Sequence, residues 1–114
     1  MEIMIVSQPI TLSRLKEIVK EGFGTMVKAV VDTKRRVMAV SGELHADEEA
    51  LLLDDGSCQI DLWGINLYPE IAGPDWLEFD SMINLRPSQK NMTRGVDDPE
   101  IRQQLISIVS ELVK

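Results

Sequence analysis

The sequence is poor in the residues that most often announce a function. Its 114 residues include one cysteine, Cys58. A lone cysteine excludes an intramolecular disulfide framework and points to a reducing compartment. Cys58 follows Asp54-Asp55-Gly56-Ser57, with no neighbouring cation or histidine to lower its pKa, so a nucleophilic role is not expected. There is one histidine, His45, and no second ligand cluster with metal-binding spacing, so no metal site is assigned. Apolar runs long enough to span a bilayer are missing. The opening Met1-Glu2-Ile3-Met4-Ile5-Val6 has neither the basic segment nor the long apolar segment of a secretory signal. The expectation is a cytoplasmic protein with no membrane partner. Positive charge is also scarce: 12 Lys and Arg stand against 19 Asp and Glu, a net charge of −7. A field of that sign repels phosphate backbones, so nucleic acid is not an expected partner. No Walker or dinucleotide-binding pattern occurs, and no motif names a cofactor.

What is present is ordinary globular composition, 44% hydrophobic and 27% charged. A chain of this length forms one domain, 1–114, and buries roughly two thirds of its unfolded surface without a disulfide or metal.

Punctuation and periodicity predict the elements. Glu2 to Ser7 reads as a strand ended by Pro9. Thr11 is a suitable N-cap for a helix whose apolar face is Leu12, Leu15, Ile18, Val19 and Phe23, stopped by Gly22 and Gly24. Met26 to Asp32 and Val37 to Ser41 form a hairpin across a four-residue loop. Their near-continuous apolar character predicts strands covered, at least in part, on both sides. A short helix follows around Ala50 to Leu53, with Asp47, Glu48 and Glu49 at its start, where acids suit the dipole. Ile60 to Tyr68 and Trp76 to Arg86 read as a second hairpin. Asp98 with Pro99, or Asp97 with Glu100, opens a last helix with an apolar stripe from Ile101 to Val113. The order β-α-β-β-α-β-β-α predicts an α+β fold: a mainly antiparallel sheet of four to five strands with three helices, packed on one face.

Three regions carry more polar residues than a fold requires. Alternation in the second hairpin gathers Trp63, Ile65 and Leu67 with Leu77, Phe79, Ile83 and Leu85 on one face. The other face receives Asn66 and Tyr68 with Glu78, Asp80, Asn84 and Arg86. Asparagine is depleted in strands, so two of them on one face stand out against a plain solvent-facing surface. The segment Arg86 to Gly95 supplies Arg86, Lys90, Asn91 and Arg94 ahead of a helix start, a set suited to a phosphate or carboxylate. The third region, Glu43 to Glu49, places His45 and Glu49 four residues apart, on one face if the helix begins early.

Three strings also resemble a small prokaryotic family of stand-alone proteins of about 100–115 residues, a domain of unknown function. They are Gly42-Glu43-Leu44-His45-Ala46-Asp47-Glu48-Glu49, Leu62-Trp63-Gly64-Ile65-Asn66-Leu67-Tyr68-Pro69, and Ile83-Asn84-Leu85-Arg86-Pro87-Ser88-Gln89 with Asn91 and Arg94. The resemblance implies no established activity, and a shared fold would not assign one.

The leading expectation is a small binding domain. Asn66, Asp80, Asn84 and Arg86, with Lys90, Asn91 and Arg94, would hold a small polar or anionic ligand. One alternative is a metal-assisted or acid–base enzyme with His45, Glu43 and Asp80 in one cleft. Another is a homo-oligomeric module, most simply a homodimer joined through strand edges or the exposed sheet face.

Overall fold

A computed structural model describes residues 2–22 and 24–114. Phe23, assigned above to the first helix's apolar face, lies outside the described residues. The fold is α+β, built on a five-stranded antiparallel sheet. Strands β1 (Met4–Val6), β2 (Val27–Asp32), β3 (Val37–Val40), β4 (Leu62–Leu67) and β5 (Leu77–Glu78) lie in the order β1-β3-β2-β4-β5. Helices α1 (Leu12–Glu21), α2 (His45–Asp54) and α3 (Pro99–Leu112) complete the expected β-α-β-β-α-β-β-α order.

Local chemistry accounts for most boundaries. The Thr11 hydroxyl accepts the Arg14 N–H at 3.0 Å and caps α1. Asp98 accepts the Glu100 N–H at 2.8 Å, with Pro99 at the first position of α3. At the β2–β3 turn, Asp32 Oδ1 accepts the N–H groups of Lys34 and Arg35 at 2.8 and 2.9 Å, and Arg36 closes the loop at φ 58°. The acids at the end of α2, unfavourable for its dipole, have a use here: Asp55 pairs with Arg35 at 2.7 Å.

The strand pairs place Val27, Ala29 and Val31 beside Leu67, Ile65 and Trp63, and Ala29 and Val31 beside Val40 and Met38. This sheet face packs against Leu15, Ile18 and Val19 of α1 and Leu105, Ile108, Val109 and Leu112 of α3. The helices are not all on that face. Val30, Val37, Ala39 and Leu62 point the other way and pack against Leu52 of α2. The one-face expectation is therefore corrected. Strands apolar on both sides need two covers, and α2 is the second.

A second correction concerns Trp76 to Arg86. Only Leu77 and Glu78 form a strand; two 3-10 turns follow, Met82–Asn84 and Pro87–Gln89. The alternating apolar residues do not share a face. Leu77 and Phe79 join the α1/α3 core, Ile83 packs on the α2 side, and Leu85 is exposed.

Candidate cleft on the second sheet face

Because β5 stops at Glu78, most of the outer edge of β4 has no strand partner, and side chains take that place. Asn84 is fully buried and accepts the Gly64 N–H through Oδ1 at 2.8 Å, while Nδ2 donates to Gly64 O at 2.9 Å. The same Nδ2 donates to Arg94 O at 3.0 Å. Arg86 donates to Gln59 O and Leu62 O, both at 2.6 Å, and its guanidinium lies 4.2 Å from the Trp63 ring centroid. Asn91 is buried and donates to Asn84 O, Thr93 O and Gly95 O, while its Oδ1 accepts the Asp97 N–H at 2.8 Å. Lys90 is exposed, at φ 60° after the second 3-10 turn. Four of the residues suggested as ligand contacts thus stand apart: Asn84 and Arg86 hold the loop to β4, Asn91 ties the loop to itself, and Lys90 faces outward.

The other candidates converge. His45, Asn66, Asp80 and Arg94 line one cleft of about 550 Å³, between the second sheet face, the start of α2 and the segment after β5. Clefts of this size hold small ligands. Lys28, Tyr68, Glu78 and Ser81 also line it. Glu43 does not: it opens onto a separate hollow of about 210 Å³ beside Gly22 and Ser41. Tyr68 and Glu78 were legible as members of the polar face. Lys28 had a signal too, being the one charge inside the apolar run from Met26 to Val31. Ser81 had none.

Gly64 makes the floor possible. A Cβ built there would stand 2.5 Å from Ser81 Cβ and 3.2 Å from His45 Cδ2, so only a glycine lets both approach the strand. Beside it, Asn66 is 5% exposed. Its Nδ2 donates to Glu78 Oε1 at 2.9 Å and Asp80 O at 3.2 Å, and Tyr68 donates to the same Glu78 oxygen at 3.0 Å. Burial, followed by the Glu78 carboxylate, pushes the Tyr68 hydroxyl above its ordinary pKa. Arg94 Nε meets Asp80 Oδ1 at 2.8 Å, a half-exposed pair of small energetic weight.

His45 Nε2 lies 2.8 Å from the Ile65 carbonyl oxygen. A carbonyl only accepts, so this nitrogen carries the proton. Burial lowers the imidazole pKa below 6.5; the Ile65 bond and the neighbouring Asn66 and Asp80 act against that shift, and Lys28 adds to it. The neutral ring therefore keeps its lone pair on Nδ1 near neutral pH. Among the described residues, no three His, Cys, Asp or Glu side chains are grouped so as to hold a metal ion. None of the described helices is long and apolar enough to cross a membrane.

A family model described as a protein of unknown function matches residues 4–112. The chain belongs to DUF5674. This agrees with the resemblance carried by the three sequence strings, and the match takes in every element from β1 to α3. The DUF5674 match spans the elements that form the cleft and assigns it no activity. Comparisons with curated proteins and with solved structures give no match.

Proposed function

We propose that the chain binds a small polar ligand in the cleft formed by His45, Asn66, Asp80 and Arg94. The supporting observation is Asn66, an almost fully buried strand asparagine at the floor of a cleft that three other polar candidates also line. Buried polar side chains are costly unless they serve structure or recognition, and only part of this amide is used structurally. The role read from sequence for Asn84, Arg86 and Asn91 becomes indirect, since their bonds fix the walls.

The test is a fragment screen read by amide chemical shifts. Bound fragments shift Asp80, Ser81 and the Asn66 side chain. His45→Gln and Arg94→Ala weaken them, whereas Arg86→Ala lowers the melting temperature without changing affinity in the folded fraction. Hits confined to the hollow beside Gly22 and Ser41 would refute the assignment.

A second reading, an acid–base enzyme, is supported by one observation. His45 has its tautomer fixed by Ile65 O and a depressed pKa, which leaves a base available at neutral pH beside Asp80. Turnover that survives His45→Gln would exclude it.

A further inference from the structure

We infer that β1 is a pairing edge for a second copy of this chain, the two first strands lying antiparallel about a twofold axis. The strand order leaves two outer edges, one along β1 and one along β4 with the short β5. On the second, Asn84 and Arg86 fill places where a strand would bond. Among the described residues nothing equivalent protects β1. Met4, Ile5 and Val6 carry no charge and no proline, and their pairs with β3 run without a bulge. No backbone group from Ile3 to Ser7 bonds to a described residue beyond β3. Sheet proteins blunt their edges with charge, proline, bulges or a cover, so an apolar edge without them suits strand addition.

The sequence of the edge selects a second copy as the occupant. A register centred on Ile5 sets Ile5 against Ile5, with Met4 against Val6 on either side. Ile3 and Ile5 pack on the α2 side of the sheet, and Met4 and Val6 pack with the α1/α3 core. Paired residues share a face, so this register continues both layers across the junction. Ile3, Met4 and Ile5 are half-buried in the single chain, whereas every residue of β3 is buried. The second copy covers the apolar surface left at the edge. Charge fits as well: Glu2 lies toward Gln8 of the other copy, so no like charges meet. Both copies use the same edge, and assembly therefore stops at two. Three paired residues make a small contact, which makes the dimer concentration-dependent.

The experiment is light scattering of the whole chain across a dilution series, with amide hydrogen exchange on the same samples. A monomer should pass to a dimer as concentration rises, with no larger species. Exchange should slow in step within residues 4–6, where the dimer engages amides that β3 leaves free. Ser7→Glu combined with Gln8→Glu, both at exposed positions, brings new carboxylates toward Glu2 and should raise the dissociation constant about tenfold. Circular dichroism checks that the variant keeps the fold, and the exchange measurement on the parent chain needs no variant. A monomer at every concentration, with exchange in β1 unchanged, would overturn the inference. So would a dimer whose newly protected amides lie on β4 or α2, or species that grow beyond two. An unchanged dissociation constant in the folded variant would overturn the Ile5-centred register.

Discussion

His45 and Glu48 are neighbours on α2, yet burial moves their protons in opposite senses. His45 is the only histidine, so its ring gives a single imidazole signal in a pH titration. That signal should titrate below 6.5, with nitrogen shifts of the Nε2–H tautomer; a midpoint above 6.5 would contradict the burial argument. Glu48 is fully buried, accepts one N–H from Gly42 at 3.0 Å, and leaves Oε1 without a partner. Desolvation, partly opposed by the Gly42 bond and Lys28, raises its pKa from 4.5 to about 9. The folded state thus holds a proton that the unfolded state releases, and Glu48 makes stability fall as pH rises between 4.5 and about 9. The slope from this group is on the order of 1 kcal/mol per pH unit. Glu48→Gln removes it. Urea unfolding at pH 5, 7 and 8.5 should find the variant increasingly stable relative to the parent, and parallel profiles would discard the assignment.

At the scale of elements, α1, the β2–β3 hairpin and α3 were legible because their signals are local. Thr11, Asp98 and Pro99 act within one helical turn, and Asp32 organises its own loop. The segment after β5 was not legible, because its period-two apolar pattern imitates a strand while its conformation is set by contacts far away in sequence. Asn84 reaches Gly64 and Arg86 reaches Gln59, and neither bond has a local signature. Asn66 and Asp80 were found through the polar face, but the same pattern offered Asn84 and Arg86 with equal weight. Gly64→Ala should destabilise by about 2 kcal/mol through overpacking against Ser81, and denaturant midpoints check this. Asn84→Ala leaves the Gly64 N–H and carbonyl unpaired and should cost about 2–4 kcal/mol. A loss under 1 kcal/mol would mean that water replaces the amide.

Over the whole molecule, the strand sequence and its antiparallel character followed from hairpin spacing, and the two-sided burial of β2 and β3 was visible in their composition. What the pattern could not convey was which helix covers which face, since α1, α2 and α3 each carry apolar residues. Global charge yields its own expectation: at about 0.15 M salt, duplex DNA should show no retardation by the protein in a mobility assay, because the acidic field opposes phosphate. The bonds from Asn84 and Arg86 to β4 have a consequence beyond loop placement. An open strand edge is a template on which another chain can pair and aggregate. Here a side-chain amide occupies the Gly64 rung in the manner of a foreign strand, and a guanidinium occupies the carbonyl of Leu62. The edge is closed to newcomers without a full-length strand being spent on it, and the Asn84→Ala variant should self-associate through β4 before it unfolds.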